Sequence, residues 1–170
     1  MLTTVTSVKS DTPEGVWKLL SEIPDPEIPV ISIVDLGIVR GVEMHGEKKV
    51  VVTITPTYSG CPAMQVIETD IVANLREHGL DTEIKTVYAP AWTTDWIPES
   101  AKEKLRAYGI SPPEKTSSDK NVLLSHPKKI YCPRCNSVHT ELISQFGSTP
   151  CKALYHCLDC KEPFDYFKCH

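Results

Sequence analysis

The sequence predicts an α+β protein in which a small αββαβ domain precedes a β-rich ribbon carrying four paired cysteines. Three observations carry that prediction. Through about the first 110 residues, apolar positions recur alternately at helical and strand spacing, in the order α, β, β, α, β, α. A polar stretch rich in Pro and Ser, "ISPPEKTSSDKN", then breaks the pattern. Beyond it stand two C-x-x-C doublets, "CPRC" and "CLDC". The expected organisation is a first domain over residues 1–110, a linker over 111–125 and a ribbon over 126–170.

The first helix is expected in "DTPEGVWKLLSEI". Asp11 or Thr12 is placed to cap it, Pro13 suits the first turn, and Val16, Leu19, Leu20 and Ile23 form its apolar face. In "PDPEIPVISIVDLGIV", Pro24, Pro26 and Pro29 deny backbone donors and bias their predecessors to extended conformations, which predicts a structured loop leading into a strand. "VRGVEMHG" and "KKVVVTITPT" read as a hairpin turning between His45 and Glu47, with Val50, Val52 and Ile54 on one face. From Pro62, Met64, Ile67, Ile71 and Leu75 line a second helix that Gly79 stops. "TEIKTVYAP" supplies a third strand and "PESAKEKLRAYG" a third helix.

Composition excludes several function classes. A formal net charge of −4 over 170 residues leaves no basic footprint for nucleic acid. No stretch approaches the roughly 18 consecutive apolar residues that cross a bilayer. The opening "MLTTVTSVKS" has no charged segment followed by an apolar core, so a cytoplasmic protein is expected. Of seven cysteines, six follow residue 130, which fits metal ligation in a reducing compartment better than a secreted disulfide framework.

Cys132, Cys135, Cys157 and Cys160 form doublets separated by 21 residues, near the spacing of four-cysteine zinc sites. A segment of about 40 residues rarely folds without a metal or disulfides. A structural zinc contributes about 10–16 kcal/mol of apparent binding free energy to folding. A rubredoxin-like iron site uses the same ligands, and two disulfides or four free thiols are the remaining readings. Cys151, Cys169, His139, His156 and His170 are left over as spare ligands or, for the cysteines, small buried hydrophobes. The Phe, Tyr and Leu residues of "FGSTPCKALYHC" and "PFDYFKCH" are expected to fill the ribbon's core.

Cys61 stands alone, between Gly60 and Pro62. If Pro62 is the first helical residue, Cys61 lies at or beside the N-cap, where orphan N–H groups and the helix dipole favour a thiolate that acts as nucleophile or metal ligand. The alternative is a cysteine buried for packing. A Cys/His catalytic pair would require the fold to bring in His45 or His78. Asp25, Glu27 and Asp35 flank the Pro-rich loop as candidate acidic ligands or turn formers, and Trp92 and Trp96 are core or interface residues.

"DPEIPVISIVDLGIV", the "VTITPTYSGCPA" turn and the closing "APAW" resemble the iron-sulfur assembly domain family that includes SufT-like proteins. "PAWTTDWI", "FGSTPCKALYHC" and "PFDYFKCH" are similar to the PaaD family of phenylacetate degradation, a likeness running from about residue 10 to 170. The resemblance implies a non-catalytic accessory component of a multicomponent phenylacetyl-CoA epoxidase, with oxygenase or reductase subunits as partners. It further implies that Cys61, with Asp25 and Glu27 nearby, handles iron or a transient iron-sulfur cluster, and that the ribbon holds zinc. Neither paired E-x-x-H motifs nor G-x-G-x-x-G occur in the chain, so it carries no di-iron or dinucleotide signature of its own. Self-association into a homo-oligomer is left open.

Overall fold

The computed structural model describes residues 12–58, 60–114 and 130–168. Internal contacts divide the chain into two units, Met1–Trp92 and Thr93–His170.

In the first unit, α1 (Pro13–Ser21) starts where the sequence predicts. Thr12 is the N-cap, its hydroxyl accepting from the Gly15 N–H at 3.1 Å, with Pro13 following. Val16 and Leu20 face inward, and the helix packs on α2 (Met64–Glu77) and β1 (Val39–His45). The Pro-rich segment is tied across its own neck, with Asp25 N–H donating to the Ile31 carbonyl at 2.9 Å and Pro24 bridging Ser32. β1 pairs antiparallel with β2 (Lys49–Ile54), which pairs parallel with β3 (Asp81–Thr86), giving the sheet order β1-β2-β3. A parallel pair requires a crossover, and α2 supplies it. Ile67, Ile71 and Leu75 of α2, with Val50, Val52 and Ile54 of β2, form the buried centre of the unit.

The start of α2 departs from expectation. Its first helical residue is Met64, capped by Ala63 in the right-handed helical conformation with no side-chain cap bond. Pro62 is therefore not the first helical residue. The preceding chain is used up in turns: Gly60 has φ of +88°, and the Cys61 N–H donates to the Tyr58 carbonyl at 3.3 Å.

In the second unit, a short 3-10 turn (Thr94–Trp96) leads to α3 (Glu99–Tyr108), which Gly109 ends in a left-handed conformation. The two-residue strand β4 (Ile110–Ser111) joins a four-stranded sheet with β5 (Thr140–Ser144), β6 (Lys152–Cys157) and β7 (Pro163–Phe167), in the order β4-β7-β6-β5. Residues 115–125 of the expected linker, and 126–129 at the start of the expected ribbon, lie outside the described residues. Ile130, Cys132, Ala153, Cys157, Phe164 and Tyr166 make a small core, against which Tyr155 packs, stacked on Phe164 at 6.0 Å. The expectation of packing roles fits these aromatics but not Phe146, which is 65% exposed. No described helix is long and apolar enough to cross a membrane.

Candidate metal centres

The four doublet cysteines converge. Their sulfurs all lie within 4.8 Å of one another, with Cys132–Cys160 at 3.7 Å and Cys135–Cys157 at 3.5 Å. Sulfurs bound tetrahedrally to one ion at about 2.3 Å stand about 3.8 Å apart, whereas a disulfide needs about 2.05 Å. The cage thus fits a metal and not two disulfides.

Local backbone chemistry builds this cage twice. Asn136 N–H donates to the Cys132 carbonyl at 2.9 Å, and Cys132 N–H donates to the Ser137 carbonyl at 2.9 Å. The second doublet repeats the pattern, Lys161 N–H to the Cys157 carbonyl and Cys157 N–H to the Glu162 carbonyl, each at 3.0 Å. Asn136 and Lys161, each following the second cysteine of its pair, take φ of 60° and 62°. That left-handed turn is sparsely populated without glycine, and it curls each C-x-x-C around one side of the ion. Backbone N–H groups of Cys160 and Asp159 donate to the Cys157 sulfur and hold its pKa down at about 6, charge stabilisation that a metal-bound thiolate also uses.

The spare residues serve elsewhere. Cys151 is buried, with the Thr149 hydroxyl 3.1 Å from its sulfur, and His156 pairs with Glu141 at 3.3 Å. His139 contacts Asp159 at 3.2 Å. Cys169 and His170 lie outside the described residues.

Cys61 sits in a different setting. It is partly buried in the loop between β2 and α2, and its carbonyl accepts from Met64 N–H at 3.3 Å. Burial raises its thiol pKa first of all; Glu27 and then Asp25 push the same way, against hydrogen bonds from the Ala63 N–H and the Thr57 hydroxyl. The expected thiolate at a helix N-cap is thereby corrected. The helix begins too late to place Cys61 on its cap, and desolvation with two carboxylates outweighs the single N–H that reaches the sulfur.

Glu27 and Asp25 thus lie near enough to act on Cys61 through their charge. Asp25 is buried and also shapes its own loop, its Oδ1 accepting from Glu27 N–H at 2.9 Å and Ile28 N–H at 2.8 Å. Asp35 forms a reciprocal pair with Ser32: Ser32 N–H donates to Asp35 Oδ2 at 3.2 Å and Asp35 N–H to Ser32 Oγ at 3.0 Å. Trp92 fastens the end of this segment, its indole N–H donating to the Leu36 carbonyl at 2.8 Å, which places it in the core. Thr57 is the contact that sequence reasoning missed, and no spacing rule marks it.

Neither histidine candidate reaches the thiol. His45 pairs with Lys49 at the start of β2, whereas Cys61 follows its end, and His78 caps the far end of α2 with Nδ1 2.8 Å from the Asn74 carbonyl.

An αββαβ domain with a cysteine at the β2–α2 turn, joined to a four-cysteine ribbon, defines the class of protein. Residues 13–86 match the family described as iron-sulfur cluster assembly protein, and residues 116–168 match the PaaD zinc beta ribbon domain. A protein of Escherichia coli (strain K12), named for a place among the subunits of a 1,2-phenylacetyl-CoA epoxidase, is 54% identical over 91% of each chain. The Fe-S protein maturation auxiliary factor YitW of Bacillus subtilis is 36% identical, covering 52% of this chain and 88% of its own. The crystal structure of a DUF59 domain from Bacillus anthracis superposes with a TM-score of 0.51 at 28% identity, over 55% of this chain and 90% of that one. The chain belongs to the PaaD family, together with that epoxidase relative.

Proposed function

We propose that this chain is a non-catalytic accessory factor that assists delivery of iron or an iron-sulfur cluster to the oxygenase or reductase component of a phenylacetyl-CoA epoxidase. The observation that carries the proposal is the Cys61 loop, in which one half-buried sulfur lies under the influence of Glu27 and Asp25, with neither His45 nor His78 beside it among the described residues. A thiol with a raised pKa is a poor nucleophile at neutral pH, whereas a cation that binds it displaces the proton and is favoured by the two carboxylates. One sulfur and two carboxylates make an incomplete ligand set, suited to holding a metal briefly and passing it on. The relatives named as Fe-S maturation factors, and the one named for the epoxidase, support the same reading.

In this reading Cys132, Cys135, Cys157 and Cys160 hold zinc, which orders the ribbon as a docking module for the client. The ribbon match describes a zinc domain, and the sulfur spacing suits the ion. The competing assignment, a structural or electron-transfer subunit with redox-active iron in the ribbon, uses the same cage. Metal analysis and the visible spectrum of anaerobically purified protein separate the two: a colourless protein with one zinc per chain supports the accessory factor, and red, redox-active iron overturns it. Anaerobic titration with ferrous iron then tests the loop, where a sulfur-to-iron band present in the wild type and missing in Cys61→Ser is expected.

A further inference from the structure

Between the two cysteine knuckles lies a side-chain network that the cage itself does not require. Ser137, just past the first doublet, donates its hydroxyl to Asp159, which lies inside the second. His139 Nδ1 meets the same carboxylate, 3.3 Å from Oδ1 and 3.2 Å from Oδ2, and the His139 N–H donates to Ser137 Oγ at 2.9 Å. The Leu158 N–H donates to the His139 carbonyl at 2.8 Å, closing the connection through the backbone. The two joined residues have a second property in common. The Ser137 N–H donates to the Cys135 sulfur, and the Asp159 N–H donates to the Cys157 sulfur. The side chains that bond to each other thus belong to the peptides that hydrogen-bond one ligand sulfur in each knuckle.

We infer that Ser137 and Asp159 are positioning residues that clasp the two knuckles across the metal and aim one N–H at a sulfur of each, slowing metal exchange. The inference rests on the reading that the four cysteines hold a metal. Without the clasp each knuckle keeps its own backbone turn, but the pair can part, and the N–H···S bonds lose their common anchor. Hydrogen-bonded partners of metal ligands typically contribute about 10–100-fold in metal affinity.

The test uses full-length protein loaded with one zinc, and Ser137→Ala, Asp159→Asn and Ser137→Thr variants. Zinc transfer to a chromophoric chelator is followed at fixed pH, and cobalt-substituted protein reports the sulfur-to-metal charge-transfer bands. Ser137→Ala and Asp159→Asn are expected to release zinc on the order of 10-fold faster and to shift the cobalt bands. Ser137→Thr, which keeps the hydroxyl, should restore both to wild-type values. Wild-type release rates and bands in both disrupted variants overturn the clasp, as does faster release with unchanged bands and no rescue by Thr. A wild-type protein that binds no metal overturns the metal reading of the cage instead, so the two failures are distinguishable.

Discussion

The ribbon and the β2–α2 loop both present cysteine sulfur, in opposite arrangements. In the ribbon, four thiols from two like knuckles close on a common point, where backbone N–H groups hold the Cys157 pKa down at about 6 while burial and the neighbouring sulfurs push Cys160 up to about 12 and Cys135 is raised as well. In the loop one thiol stands with two carboxylates, and burial together with their charge opposes ionisation. The first site offers a complete set of four sulfur ligands. The second lacks ligands that this chain does not supply among its described residues, and bare it holds its proton. A complete site contributes folding energy, while an incomplete one allows exchange. Under the proposed function, the two cysteine chemistries divide the work between architecture and transfer.

The largest effect that would break this contrast falls on the ribbon. Cys157→Ser should abolish zinc binding and melt β5–β7, since about 10–16 kcal/mol of apparent binding free energy is lost to a core of only a few side chains. Amide NMR spectra should keep the dispersed signals of the helices and strands of the first unit. Full zinc content in the variant would show that the ligand set is wrong. Removal of zinc from wild-type protein with a strong chelator should reproduce the same pattern and reverse on adding zinc back.

A smaller effect sharpens the loop side. Trp92→Phe leaves the buried Leu36 carbonyl without its indole donor, at a cost of about 1–3 kcal/mol. The melting temperature of the first unit should fall by several degrees with zinc content unchanged. An unaltered melting temperature would remove Trp92 as the fastener of the Pro-rich segment.

The smallest effect is electrostatic. Because the Cys61 pKa is raised, its thiolate fraction at neutral pH lies below that of a free cysteine, and alkylation should develop fully only above the usual midpoint of about 8.5. Glu27→Gln removes one negative neighbour, so the pKa falls and alkylation at a fixed neutral pH becomes faster. Slower alkylation, or a wild-type midpoint below the ordinary value, would reverse the electrostatic account of the loop.

How much of this was legible in the sequence follows the distances over which each feature is determined. The knuckles were readable because a C-x-x-C turn is closed by its own backbone within a few residues. The helices and strands of the first unit followed from periodicity, and the Thr12 cap from local chemistry. The start of α2 was misplaced because Pro62 fits a first helical turn equally well as a chain still turning, and the hydrogen bond from Cys61 N–H to Tyr58 that keeps it turning has no sequence signature. That error carried the thiolate expectation with it. The charge influence of Glu27 and Asp25 on Cys61 depends on tertiary packing, which periodicity does not report; the residues alone offered Asp25, Glu27 and Asp35 as candidates, and the family resemblance singled out the first two. The pairing of Ile110–Ser111 with β7 was invisible for another reason, since two residues are too short to show an alternating pattern.

The most direct test of the central claim is iron per client chain in cells that make the epoxidase components together with Cys61→Ser in place of the wild-type chain. Serine keeps the size of the side chain and leaves the ribbon's four cysteines untouched, but supplies no thiolate. The account predicts that the oxygenase or reductase is produced at normal levels yet is deficient in iron, while the variant retains its fold and one zinc. Normal client iron beside a folded, zinc-loaded Cys61→Ser protein would contradict it and leave the chain as a structural component of the epoxidase.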